Sequence, residues 1–217
     1  MEIEKKRDLI LEKFMEEFDI GMNYIKDQIR HNLYGGITGW LLNPIASWLY
    51  KIFVAPNIRD QALDNFNTLF DCAQEFNGNE VCMDSAVKII EEKFDELTEN
   101  DASFQRFDKK HNKAEEMIEL IKEGFAQQLL LTKKLMDSPG ESYEEIIKNA
   151  FKSRDTFVQF TDEQLQNTAR GLNLLVTEKD LLKVPGIIKS QTKRLLKKGY
   201  DYTVERAYTQ VDEIFPK

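Results

Sequence analysis

The sequence predicts an all-α protein: a single multi-helix bundle with long amphipathic, partly heptad-patterned helices and short connecting helices. Gly and Pro are scarce, at 10 and 5 of 217 residues, whereas strands joined by tight turns need more of both. We find no alternating run of β-branched residues bounded by turns. The charged fraction of 31% suits helices with broad solvated faces, and 14 Phe with 7 Tyr supply core material that argues against disorder.

The first predicted helix spans about residues 3–31. Apolar residues recur along it four and three positions apart, which is the seam spacing of helices that pack nearly parallel. This seam consists of Leu11, Met15, Phe18, Met22, Ile25 and Ile29. We therefore expect the helix to pack along most of its length.

A segment rich in Gly and aromatic residues, 32–56, is inserted between the first and third helices. Residues 32–50 carry no formal charge and include both tryptophans. Asn43-Pro44 predicts the start of a short helix, since Asn caps helices and Pro suits the first helical position. The segment is favoured as a buried short helix; the alternatives are an exposed hairpin that contacts a membrane interface or a partner, and a membrane span. The candidate contact residues are Tyr34, Trp40, Leu41 and Trp48.

Six further helices are predicted. They cover about residues 58–76, 80–98, 103–136, 141–160, 161–175 and 187–214. The helix over 103–136 carries a heptad seam through Ala114, Ile118, Ile121, Phe125, Gln128, Thr132 and Leu135. Thr161-Asp162-Glu163-Gln164 has the pattern of a capping box and predicts a helix start there. Because we find neither an internal repeat nor a low-complexity linker, we predict one helical domain over residues 1–217.

The sequence offers little to metal, cofactor or nucleophile chemistry. A di-iron site needs Glu-x-x-His on two helices, but His31 follows Gln28 and His111 follows Asp108 at that spacing. The zinc pattern His-Glu-x-x-His, a Cys-x-x-Cys pair and a phosphate-binding Gly-x-x-x-x-Gly-Lys loop are absent. We predict no catalytic residue, no cofactor and no metal; His111 is expected to be a core or register-fixing residue.

Charge and cysteine content bear on partners and compartment. The net charge of −8 argues against nucleic acid as a partner, because phosphate backbones require a basic field. Residues 1–8 lack the pattern of a secretory signal, which favours the cytoplasm, with a membrane surface as an alternative within it. Cys72 and Cys82 flank a predicted turn, and we expect two free, half-buried thiols rather than a disulfide.

The last helix carries a local cluster of positive charge. Its basic residues are Lys189, Lys193, Arg194, Lys197 and Lys198, with Leu195 and Leu196 beside them. A basic amphipathic helix can contact anionic lipid, an acidic protein or phosphate. The alternative is a solvated face that pairs with the acidic helix predicted over about residues 80–98.

These features favour a non-enzymatic helical interaction protein, a scaffold or adaptor that contacts protein partners through heptad faces and the aromatic segment. We predict a homo-oligomer, because the shorter helices are not expected to cover both long seams. The alternative is a lipid-directed protein, either peripheral on membranes or binding an apolar ligand in the bundle. A second alternative is an enzyme with a carboxylate site inside the bundle.

Overall fold

The computed structural model describes residues 3–34, 57–76, 81–98, 114–177 and 186–217. In these ranges the chain forms seven α-helices and no strand, which confirms the predicted all-α class. The helices are α1 (Ile3–Tyr34), α2 (Asn57–Glu75), α3 (Met83–Thr98), α4 (Ala114–Asp137), α5 (Tyr143–Phe151), α6 (Arg154–Thr177) and α7 (Gly186–Ile214). The short helix predicted after Pro44 and the start of the predicted 103–136 helix lie outside the described residues.

The core is organised around α4, which packs against α1, α2, α3, α5 and α6. The predicted heptad seam of this helix is misplaced by one residue. Of its described members, only Leu135 is buried, and the others are half-buried. The buried line is Lys122, Ala126, Leu129, Lys133 and Met136. One residue corresponds to about 100° around a helix, and the error arises because a heptad pattern assumes one neighbour where α4 has several.

The first helix reaches across the bundle to the end of α4. Ile10 and Met15 are buried on its inner side. The Lys6 ammonium donates hydrogen bonds to the carbonyl oxygens of Met136 and of Ser138, the latter at 2.7 Å. Helix C-termini leave carbonyl groups unpaired and carry partial negative charge, so Lys6 caps α4 from a distant part of the chain. Burial lowers the pKa of Lys6.

The middle of α1 is joined to α7 by an ion pair and a ring stack. The Arg206 guanidinium donates to both Glu17 carboxylate oxygens, each at 2.8 Å. These hydrogen bonds lower the pKa of Glu17. About two turns further along α1, the ring of Tyr24 stacks on the ring of Tyr202. These two contacts join the middle of α1 to α7 within one chain.

The predicted helix start at Thr161 is wrong. Thr161 lies inside α6 and is buried, and its hydroxyl donates to the Phe157 carbonyl at 2.8 Å. The hydroxyl proton is thus satisfied by the helix backbone four residues earlier, which is a known alternative to capping for Ser and Thr. The helix that begins at Arg154 continues through the predicted boundary without a break.

The observed break between α5 and α6 lies eight residues earlier in the chain, at Ser153. Lys152 adopts the left-handed conformation, with φ 62°, and its N–H donates to the Lys148 carbonyl at 2.8 Å. Ser153 then accepts a hydrogen bond from the Thr156 N–H at 3.2 Å and caps α6. The capping-box pattern at Thr161 therefore predicted a helix start that the structure places at Ser153.

The two cysteines are not joined by a disulfide. Cys72 is fully buried in α2, whereas Cys82 is exposed just before α3, with its sulfur 3.2 Å from the Ser85 hydroxyl. The prediction of two half-buried thiols is therefore wrong for both residues. Cys72 serves as a small apolar residue of the core.

Candidate functional site

The first half of α7 presents a basic face, which consists of Lys193, Arg194 and Lys197. All three side chains are exposed. None of them forms an ion pair with another residue in the described ranges. The structure thus places three of the five predicted basic contact residues together on the surface.

The basic face is electrostatically unfavourable in isolation. Arg194 and Lys197 lie three positions apart and Lys193 and Lys197 four, and a like-charge pair at a spacing of four destabilises a helix by about 0.2–0.5 kcal/mol. An anion bound at the basic face would relieve this repulsion.

The sequence offered the acidic helix over about residues 80–98 as an alternative partner for these cations. The structure contains this helix as α3, which packs mainly against α4. Its Glu91 carboxylate accepts from the Lys122 ammonium at 3.3 Å. Within the described part of the chain, the alternative in which α3 neutralises the basic face therefore finds no support.

The other two predicted basic residues are placed differently. Lys198 is half-buried, and its ammonium donates to the Gln28 side-chain oxygen at 3.0 Å, so it ties α7 to α1 rather than extending the exposed face. Lys189 lies in the first turns of α7, but its side chain is outside the described residues. The neighbouring Leu195 and Leu196 are half-buried in a helix that packs against α6 and α1.

The aromatic contact residues predicted from the sequence cannot be placed. Tyr34 is the last residue of α1, and its side chain lies outside the described residues, as do Trp40, Leu41 and Trp48. Their role stays a prediction. Among the described helices, none is both long enough and apolar enough to cross a bilayer.

A cavity of about 260 Å³ lies between α4, α5, α6 and α7. Its apolar wall brings together side chains from three helices that the sequence assigned only to a general core. They are Leu135, Ile147, Phe151, Phe157 and Leu165, all buried. The cavity arises from the shapes of four packed helices, and periodicity carries no signal for such a volume.

Polar residues line the rest of the cavity, and most of their protons are already donated. Thr161, Thr168 and Thr203 each donate a hydroxyl proton to the carbonyl oxygen four residues earlier, at 2.8–2.9 Å. Gln164 accepts at 2.5 Å and donates at 3.0 Å within a set of amide side chains that joins α6 to α4. Gln210 is hydrogen-bonded to Glu17. These groups therefore keep acceptor capacity but have few protons to offer.

One more polar residue, Tyr143, lines the cavity. Its hydroxyl has no hydrogen-bond partner among the described residues. Burial, together with the nearby carboxylates of Glu17 and Glu144, raises the pKa of Tyr143 to about 12. The phenol therefore stays neutral at physiological pH and keeps its proton as a donor.

Within the described ranges no three His, Cys, Asp or Glu side chains are grouped as a metal site would require. His111 and the side chain of His31 lie outside those ranges. Comparison of the chain with protein-family models, with curated proteins and with solved structures finds no match. Arguments about function therefore rest on the basic face and the cavity themselves.

Proposed function

We propose that this protein is a non-enzymatic helical interaction protein, an adaptor that binds an acidic protein partner through the basic face of α7. The observation that carries the proposal is the exposure of Lys193, Arg194 and Lys197 without a counter-ion among the described residues. Several other cations, including Arg7, Arg154 and Arg206, form ion pairs within the bundle. In a chain of net charge −8, this cluster is the surface suited to a negatively charged partner.

An acidic protein is favoured over a lipid surface by the surroundings of the basic face. Helices that lie in a membrane interface bury an apolar face among the lipids. Here Leu195 and Leu196 are half-buried, so part of the apolar surface beside the cations is already covered. The proposed contact is therefore electrostatic.

The test uses poly-L-glutamate as an acidic probe, with binding followed by fluorescence anisotropy. We expect binding at low salt that weakens steeply as salt is added, because the Debye length falls from about 30 Å at 0.01 M to about 3 Å at 1 M. Replacing Lys193, Arg194 and Lys197 together with Gln should abolish binding and leave the circular dichroism spectrum unchanged.

The matched control replaces Lys5, Lys88 and Lys148 with Gln. These lysines are exposed on α1, α3 and α5, so the net charge changes equally while the basic face stays intact. We expect this variant to bind like the wild type. Equal loss in both variants would mean that total charge, not the basic face, drives binding, and no binding by the wild type at low salt would overturn the proposal. Binding to phosphatidylserine vesicles but not to polyglutamate would transfer the function to a membrane surface.

A further inference from the structure

The cavity between α4, α5, α6 and α7 is independent of the basic face and has the chemistry of a binding site. We infer that it binds a small neutral molecule with an apolar body and one polar group that hydrogen-bonds to Tyr143. The inference rests on the size of the cavity, on the hydrogen bonds that the polar residues of its wall already make, and on the charged groups beside it.

The volume limits the size of the ligand. An apolar cavity of about 150 Å³ holds benzene, so 260 Å³ holds roughly ten carbon atoms. A long acyl chain of about sixteen carbons would need roughly 400 Å³ on the same scale and would extend beyond the cavity. The walls of Phe151, Phe157 and Leu165 supply apolar contact for a compact ring system. The site therefore suits a bicyclic or short branched body rather than a membrane lipid.

The polar wall determines what functional group the ligand carries. Thr161, Thr168 and Thr203 have donated their protons to the helix backbone, so their oxygens can only accept. Tyr143 supplies a phenolic proton that no described residue accepts. A ligand hydroxyl satisfies both requirements, because it accepts from Tyr143 and donates to a threonine oxygen.

The described wall of the cavity offers no positive charge to hold an anion. The nearby Arg206 guanidinium is paired with Glu17, and the Lys134 ammonium lies over the ring of Phe151. The Glu17 carboxylate is close enough to Tyr143 to act on it electrostatically, and Gln210 of the cavity wall is hydrogen-bonded to Glu17. No Lys or Arg lines the cavity in the described part of the chain. A carboxylate ligand would lose its hydration without meeting a positive charge, which is costly. The expected ligand is therefore an alcohol or a phenol.

The test titrates the full chain with 2-naphthol, whose carbon count and single hydroxyl match the cavity, and follows binding by calorimetry. Two further probes separate the contributions: 2-naphthoate carries a negative charge, and 2-fluoronaphthalene, observed by fluorine NMR, lacks a hydrogen-bonding group. We expect 2-naphthol to bind and 2-naphthoate to bind at least about tenfold more weakly.

Substitutions assign the binding to this cavity. Tyr143→Phe should weaken 2-naphthol by about two- to tenfold, the value of one net hydrogen bond, and leave 2-fluoronaphthalene unchanged. A purely structural role of Tyr143 would change both probes alike. Thr203→Met should block the cavity, and Thr209→Met is its matched control, because the Thr209 hydroxyl makes the same 2.9 Å bond within α7 but does not line the cavity.

Ala207→Met is a second blocking variant on the same wall, in case Thr203→Met does not fold by circular dichroism. Binding of 2-naphthol that is lost in the blocking variants and kept in Thr209→Met supports the site. The inference is overturned if 2-naphthol does not bind the wild type up to its solubility limit. It is equally overturned if the blocking variants bind normally or if 2-naphthoate binds as tightly as 2-naphthol.

Discussion

Replacing Glu17 with Gln tests how much the ion pair between α1 and α7 contributes to stability. The Glu17 carboxylate accepts two hydrogen bonds of 2.8 Å from Arg206 and is 19% exposed. Gln has the same shape but no charge and one acceptor fewer. The substitution therefore removes the charge-assisted hydrogen bonds with little change in packing.

The magnitude follows from the burial of the pair. Hydrogen bonds to charged groups contribute about 1.5–3 kcal/mol in net terms, and partial exposure of Arg206 and Glu17 reduces this to about 1–2 kcal/mol. For a chain of 217 residues, 1 kcal/mol corresponds to about 2–4 °C in Tm. We expect Glu17→Gln to lower Tm by about 2–8 °C at neutral pH, measured by calorimetry or circular dichroism.

The pH dependence of this Tm difference has a predictable direction. The Arg206 hydrogen bonds lower the folded-state pKa of Glu17, so the ionised carboxylate stabilises the fold above its unfolded pKa. That contribution disappears as the pH falls through the folded pKa and Glu17 becomes protonated. The Tm difference between wild type and Glu17→Gln should therefore be largest at neutral pH and should shrink towards zero as the solution is acidified.

Glu16→Gln is the matched control on the same helix. Glu16 also pairs with Lys13, at 2.7 Å, but it is 54% exposed and does not reach α7. Exposed pairs at this spacing contribute about 0.5 kcal/mol or less, so its Tm should change by no more than about 2 °C. The reasoning is refuted if Glu16→Gln destabilises as much as Glu17→Gln, or if the Glu17→Gln difference does not depend on pH.

Two further predictions concern the α5–α6 break and self-association. Lys152→Gly should raise Tm by about 1–4 °C, since Gly adopts the left-handed conformation without the steric cost that Lys152 bears at φ 62°, and Lys148→Gly inside α5 should instead lower it. A fall in Tm for Lys152→Gly would contradict this. Light scattering should give a mass above 25.4 kDa, because the shorter helices are not expected to cover the seams of both long predicted helices; a monomer mass at all concentrations would end the prediction of an oligomer.

The helical class and most helix positions were predictable because they depend on local pattern. The α1 seam placed Met15 on a buried side, and α7 ends at Ile214, where the sequence predicted its end. The choice between Ser153 and Thr161 as a helix cap was not predictable. Thr161 has Gln164 three residues later, as a capping box requires, whereas Ser153 has Thr156, so the local pattern favoured the wrong residue. The left-handed turn at Lys152 that precedes the true cap is a property of the packed α5.

The basic face and the cavity also differ in how far the sequence could predict them. The basic face is a pattern along one helix, so Lys193, Arg194 and Lys197 could be named in advance. The hydrogen bond from Lys198 to Gln28 could not be predicted, because Gln28 is far away in the sequence. The cavity and the role of Tyr143 were missed altogether, since they depend on how four helices meet in three dimensions.

The contacts of α1 have a consequence for the order in which the chain can fold during synthesis. Glu17 meets Arg206, 189 residues later, and Lys6 meets the end of α4, 130 residues later. At about 5–20 residues per second, the ribosome needs roughly 10–40 s to bring Arg206 out after Glu17. Throughout that interval the inner side of α1 has emerged without its α7 partner. Docking of α1 against α7 is therefore a late event, and the side of α1 that meets α7 would benefit from shielding by a chaperone until then.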